Sequence, residues 1–168
     1  RQRQMCIRDS MKGLEALLIE DEQIELSLIG VRPTYPSSKY GYIVPGERYK
    51  HNYELYHVNR FQEKPSEADA AKLIEQQALW NCGVFAFRLG YKIDWLRVHD
   101  LPIDFHGLRG QYHLLPKTSF DYEIVEQARH VLVSPYEGDW KDLGTWNTLT
   151  DEMSAVVVGK GRISPDST

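Results

Sequence analysis

The sequence predicts an α/β fold in which a mixed sheet carries helices on its faces. Three observations lead there. Runs of branched and aromatic residues of strand length alternate with stretches whose apolar residues recur at helical spacing. Neither an internal repeat nor a low-complexity linker interrupts them, so no domain boundary is placed within them. The chain has 168 residues and 42% hydrophobic content. That suffices for one core, since a domain of about 150 residues buries roughly 68–70% of its unfolded surface.

Taken in order, the first ten residues, RQRQMCIRDS, are polar and without periodicity, and are read as a non-native or disordered tail, foreign to the fold. The string resembles translated sequencing-adaptor sequence joined to a gene fragment. Leu14, Leu17 and Leu18 then recur at helical spacing between Met11 and Glu22. The branched run Ile24 to Val31 reads as a strand, ended by Pro33 and Pro36. A short strand follows from Tyr40 to Val44, and Pro45 with Gly46 reads as a turn. Tyr53 to Phe61 alternates as a strand does. Glu67 to Gln77 reads as a helix capped by Ser66. Leu79 to Phe87 returns to strand, Tyr91 to His99 to helix, and His106 to Gln111 to loop. Phe120 to Arg129 reads as a helix capped by Ser119, Val131 to Val133 as a buried strand, and Thr145 to Glu152 as a helix, with a short strand in the tail from Val156 to Thr168.

Bulk properties narrow the function classes. A net charge of -4 and no block of five basic residues argue against nucleic acid. No apolar run approaches the roughly 18 residues of a membrane span, and no signal-peptide pattern opens the chain. Two cysteines, Cys6 and Cys82, form neither a CxxC pair nor a disulfide framework, which suits a cytoplasmic location. The six histidines form no HExxH pattern, GxSxG is absent, and Gly159, Lys160 and Gly161 are not a phosphate loop, so a metallohydrolase, a serine hydrolase and a P-loop NTPase are set aside.

Four segments carry candidate chemistry. In FQEKP, Glu63 and Lys64 stand at a strand exit, where ligands of α/β sheets bind. Glu63 can accept from sugar hydroxyls and Lys64 can neutralise a phosphate; the plain alternative is a solvated ion pair. In WNCGVF, Asn81 needs partners for its carbonyl and its NH2, which a hydroxyl-rich ligand or a bulge at Gly83 can supply. Cys82 reads as a small packed residue. In WKDLGTW, Asp142 suits a single-carboxylate Mg²⁺ site or a helix cap. In YGYI, Gly41 offers backbone to a sugar ring, although Tyr40 and Tyr42 are ordinary sheet residues. Asp121 and Glu123 are read as first-turn acids that favour a helix N-terminus.

VRPTYPSSKYGYI, FQEKP, WNCGVFAFR, SFDYEIVE and WKDLGTW occur in an order and at separations that resemble the sugar nucleotidylyltransferase family, from about Ile29 to Leu149. Pairing of the PT and YGYI elements with WNxGxF is most similar to its mannose-1-phosphate guanylyltransferase branch. The resemblance implies a Rossmann-like nucleotidyltransferase sheet, here partial. Its N-terminal nucleotide-binding half, with the glycine-rich loop and a second metal-binding acid, would precede Met11. The expected organisation is a foreign tail over 1–10, a sugar-phosphate-binding part over 11–153, and the start of a further segment over 154–168. Exposed sheet edges and apolar faces, and so aggregation, are expected of a partial sheet.

The implied reaction is in-line attack of mannose-1-phosphate on the α-phosphorus of GTP, giving GDP-mannose and pyrophosphate. Two unit charges 4 Å apart repel by about 4 kcal/mol at an effective dielectric of 20, so cations must offset the approach of two anions. The resemblance assigns that work to Lys64 and to Mg²⁺ held by Asp142, and the sugar to Gly41, Glu63, Asn81 and Gly83. The chain alone is expected not to catalyse. A silent sugar-nucleotide-binding module, another sugar-1-phosphate nucleotidylyltransferase and a structural protein remain alternatives, and a homo-oligomer remains open.

Overall fold

The computed structural model describes residues 2–50, 55–138, 140–144, 146, 149–150 and 153, with side chains from Ser10 onward. The chain divides into two compact units, Arg1–Gly138 and Asp139–Thr168.

The first unit is built on five strands: β1 (Leu26–Val31), β2 (Tyr42–Arg48), β3 (Tyr56–Gln62), β4 (Leu79–Phe87) and β5 (Val131–Tyr136). The mixed sheet predicted from sequence is present. Its strands run in the order β1-β4-β2-β3-β5 and close on themselves, because β5 returns to pair with β1. That pairing is parallel, from Leu26 opposite Val131 to Val31 opposite Tyr136, and the other pairings are antiparallel. Every described strand therefore has a neighbour on both sides, although β3 and β5 meet at two positions only. The expectation of exposed edges does not hold for these strands.

Apolar residues on both faces of the sheet explain the closure. Leu26 and Leu28 of β1, Ile43, Phe61, Leu79, Val131 and Val133 form one buried cluster with Ile124 and Val125. Leu132 points the other way, to Leu18, Ile24, Tyr49 and Leu55. β1 is buried along its whole length, as a strand with neighbours on both sides and on both faces must be. Burying each such Leu or Val contributes about 1.5–3 kcal/mol.

Helix α1 (Gln2–Glu20) brings Leu14 and Leu18 to the core, as their spacing predicted, but begins well before Met11. Of residues 1–10, expected as a non-native or disordered tail, those from Gln2 onward are helix. Arg, Gln and Met favour helix, and no Gly or Pro precedes Gly13 to interrupt it. Helix α2 (Glu67–Glu75) is capped as expected: the Ser66 hydroxyl accepts from the Asp69 N–H at 3.1 Å. Helix α3 (Leu89–Val98) starts slightly earlier than its periodicity suggested.

Three expectations need correction. Pro45 and Gly46 do not end β2; the register shifts on either side of Pro45, and this irregularity accommodates a residue without an N–H. The expected loop over His106 to Gln111 contains helix α4 (Phe105–Gly110), which Asp104 caps by accepting from the Gly107 N–H at 2.9 Å. The helix expected over Phe120 to Arg129 is a single π-helical turn, Asp121–Val125, which buries Ile124 and Val125. The expected helix over 145–152 falls mainly, and the expected tail strand wholly, outside the described residues. The α3 and α4 helices bury no residue, and Leu89, Val98 and Phe105 lie exposed.

Candidate functional site

The site begins where β2 and β4 start and β3 ends. Tyr42 pairs with Gln62 on β3 and with Trp80 on β4, so the residues flanking these positions converge at one rim. Gly41 precedes β2, Glu63 and Lys64 follow β3, and Asn81 lies near the start of β4, donating its backbone N–H to the Gly41 carbonyl at 2.8 Å.

Gly41 is held to glycine by sterics. A Cβ there would lie 2.5 Å from Glu63 Oε2, 2.9 Å from Phe61 Cζ and 3.4 Å from Asn81 Cβ. The Glu63 side chain is only 6% exposed, while that of its ion-pair partner Lys64 is 53% exposed. Lys64 Nζ lies 3.2 Å from Glu63 Oε1. The other oxygen, Oε2, is buried with no hydrogen-bond partner among the described residues. Burial pushes the Glu63 carboxyl above the ordinary glutamate range; Lys64 opposes the shift, and the negative charges of Asp121 and Glu126 add to it. The Tyr122 hydroxyl donates to the Glu63 carbonyl at 3.4 Å. Lys64 itself has a φ of 44°, in the left-handed region that costs a non-glycine residue energy.

Asn81 has partners on both ends of its amide. Its Nδ2 donates to Asp121 Oδ1 at 2.7 Å, and its Oδ1 accepts from the Gly83 N–H at 3.0 Å. Gly83 has a φ of 73° and an open space where a Cβ would stand, so conformation and not crowding calls for glycine. The register between β1 and β4 shifts across this point, from Leu28 opposite Phe85 to Gly30 opposite Asn81. The bulge anticipated as one reading of WNCGVF is therefore present. Each amide group of Asn81 still keeps one bonding valence beyond those used.

Gly41, Glu63, Lys64, Asn81 and Gly83 are thus brought to one rim. Asp121, read from sequence as a first-turn acid, belongs with them. Its only advance signal was its place in the motif SFDYEIVE. Cys82 donates its thiol to the Ile29 carbonyl at 3.1 Å, and burial pushes its pKa up, in keeping with a packed residue.

Asp142 lies in the second unit. It is exposed, and its Oδ1 accepts from the Gly144 N–H at 2.8 Å in a tight turn. Among the described residues no three His, Cys, Asp or Glu side chains group closely enough to hold a metal by themselves. Mg²⁺ takes only one or two protein carboxylates where phosphates supply further oxygens, and a lone exposed Asp142 fits that donor set.

A family model for nucleotidyl transferases matches residues 5–157. The chain is 29% identical over 167 residues to a mannose-1-phosphate guanylyltransferase of Salmonella muenchen, covering 86% of this chain and 34% of that protein. It is 31% identical over 147 residues to the xanthan biosynthesis protein XanB of Xanthomonas campestris, covering 77% and 31%. The chain thus spans about a third of the length of these curated relatives. Among solved structures, a Thermus thermophilus protein described as a mannose-1-phosphate geranyltransferase superposes with a TM-score of 0.72 at 31% identity, over 89% of this chain and 45% of that one. A Helicobacter pylori mannose-6-phosphate isomerase shares the fold at a TM-score of 0.62 and 21% identity, over 82% and 58%.

Proposed function

The chain belongs to the nucleotidyl transferase family, and from that premise we propose that the rim of Gly41, Glu63, Lys64 and Asn81 receives the sugar phosphate of a sugar-1-phosphate nucleotidyl transfer. We assign mannose-1-phosphate as the sugar phosphate and GTP as the nucleotide of the whole protein, with GDP-mannose and pyrophosphate as products. Relatives and a solved neighbour whose names specify mannose-1-phosphate support the choice of sugar.

The observation that carries the reading is Glu63. A carboxylate oxygen buried without a partner is costly, and a ligand hydroxyl would satisfy it. Gly41 clears the space beside that oxygen, Asn81 offers one further donor and one further acceptor, and the exposed Lys64 ammonium stands at the edge to meet a phosphate. Lys64 is held by Glu63 before ligand arrives, so its charge is already placed, which lowers the cost of bringing an anionic sugar phosphate toward a second anion. Mg²⁺ is the cofactor we propose for the whole protein, with Asp142 as its candidate ligand. The cytosol is the proposed setting, in keeping with a free thiol at Cys82. No described helix is long and apolar enough to cross a membrane.

Titration calorimetry with mannose-1-phosphate tests the reading. Lys64→Ala removes a hydrogen-bonded charge from the phosphate, and such bonds contribute about 1.5–3 kcal/mol, so affinity should fall roughly tenfold to a hundredfold. Equal affinity in the variant would reject the role of Lys64, and no binding by the unaltered chain would reject the site. We further propose that this chain supplies the sugar side alone, so GDP-mannose formed by the purified chain from GTP, mannose-1-phosphate and Mg²⁺ would overturn that division.

A further inference from the structure

The Asn81 amide is polarised by its neighbours in a way that admits only one orientation. Its Nδ2 faces a carboxylate oxygen of Asp121, an acceptor, and its Oδ1 faces the Gly83 N–H, a donor. Turning the amide over would set two oxygens against each other on one side and two N–H groups against each other on the other. The Gly83 bond alone would be a weak guard, because a neutral N–H to carbonyl bond is about half as strong as a bond to a charged group. The 2.7 Å bond to Asp121 is the charged one. It reaches Asn81 from a residue 40 positions along the chain, in the π-helical turn that packs Ile124 and Val125 into the core. A residue in such a turn is fixed by its buried neighbours, so the carboxylate has a rigid base.

We infer that Asp121 is a positioning residue for sugar recognition: it locks the Asn81 amide so that one N–H and one carbonyl lone pair stand at fixed places beside Glu63, and the site thereby distinguishes sugar phosphates by the position of a hydroxyl. The inference rests on the sugar-phosphate reading of this rim. With the lock in place, a hydroxyl that reaches both Asn81 and Glu63 Oε2 meets a set donor and a set acceptor. Epimers that differ at one ring carbon present that hydroxyl on opposite faces, and only one of them makes the full set. If Asn81 could turn over, either epimer would find a matching group, and the difference between them would shrink.

Asp121→Asn tests this because it keeps the size of the side chain while offering either a donor or an acceptor to Asn81. The first measurement is the side-chain amide of Asn81 by ¹⁵N-resolved NMR in the unaltered chain and in the variant. A locked amide gives one proton shifted downfield and slowed in exchange by its charged acceptor, and the variant should lose both marks. The second is calorimetry of mannose-1-phosphate, glucose-1-phosphate and inorganic phosphate with both proteins. The ratio of the two sugar-phosphate affinities should fall about tenfold in the variant, the usual worth of one hydrogen bond in a site, with inorganic phosphate unchanged.

An unchanged ratio in a variant whose amide signal has changed would overturn the specificity role, and an unchanged amide signal would overturn the lock. Should Asp121→Asn not fold, the unaltered chain decides instead. Its Asn81 amide must show one downfield, exchange-slowed proton, and two ordinary, freely exchanging protons would overturn the lock. Absence of sugar-phosphate binding by the unaltered chain would count against the sugar reading and hence against the specificity role, while the amide signal would still judge the lock.

Discussion

Replacing Gly41 by Ala tests the geometry of the rim with a single methyl group. The new Cβ would stand 2.9 Å from Phe61 Cζ and 2.5 Å from Glu63 Oε2. Carbon atoms rest at about 3.5–4.0 Å, so the Phe61 ring must retreat by roughly 0.6–1.1 Å. Phe61 is buried in the main core cluster beside Ile43 and Leu79, and cannot swing into solvent. Forcing a methyl into such packing costs about 1–3 kcal/mol. Loss of a glycine from the unfolded chain returns about 0.4–1 kcal/mol, since Gly41 does not have the positive φ that would strain an alanine.

The net destabilisation should be about 1–2 kcal/mol, and a chain of this size loses about 2–4 °C of Tm for each kcal/mol. Differential scanning calorimetry should therefore show Gly41→Ala melting about 2–8 °C lower. Binding should suffer as well, because the Glu63 carboxylate must leave its position; mannose-1-phosphate affinity should fall about tenfold or more, equivalent to about 1.4 kcal/mol. Gly90→Ala is the control. It sits in α3 with nothing within 4 Å of the added Cβ, and should raise stability by about 0.5–1 kcal/mol through helix propensity alone. If Gly41→Ala melts and binds like the unaltered chain, the close approach of Gly41, Phe61 and Glu63 is refuted.

Two further outcomes follow from the charged groups. The Glu63 carboxyl is raised above the ordinary glutamate range, chiefly by burial, so the folded chain holds this proton more tightly than the unfolded chain does. Its contribution to stability is present below the ordinary range and is lost as pH rises through the folded value. Urea denaturation between about pH 4 and pH 8 should show Glu63→Gln gaining on the unaltered chain as pH rises, and a constant difference across that range would contradict the buried carboxyl. Asp21 behaves in the opposite sense. Hydrogen bonds from the Tyr49 hydroxyl, at 2.6 Å, and from Lys50 hold its carboxyl down at about 2. Its contribution is present above the ordinary aspartate range and is lost as pH falls toward that value. Tyr49→Phe should bring the Asp21 titration back up, read from the side-chain carboxyl carbon by NMR; an unmoved midpoint would show that the Tyr49 bond is not what lowers it.

Local features of this fold were legible in the sequence. The strand Leu79–Phe87 was read with its observed bounds, and the Ser66 cap was read correctly, because strand composition and capping depend on neighbours in the chain. Motif order also led to Glu63, Lys64, Asn81 and Gly41, which the fold does bring to one rim. Their contacts were not legible. Nothing near Asn81 announces Asp121, which reaches it by tertiary packing from another element, and an acid at the start of a helix-like segment has an adequate local explanation already. The α4 helix was missed because Gly107 and Gly110 weigh against a helix; its Asp104 cap and its backbone bonds outweigh them. Pro45 and Gly46 misled similarly, since a turn signal and a strand irregularity use the same residues.

The parallel pairing of β1 with β5 bears on the order in which this site can be made. The contacts it brings together include an Arg32–Glu137 ion pair whose partners are 105 residues apart. Closing a loop of that length costs about 4 kcal/mol in chain entropy beyond a fixed initial term. Pairing of β2 with β3 involves a far shorter loop. During synthesis Gly41, Glu63 and Asn81 emerge well before Val131, so the strands that carry this rim exist as a nascent segment while the strand that completes their enclosure is still unmade. Asp121 emerges between them and β5, which places the partner of Asn81 among the late arrivals, next to the strand that closes the ring.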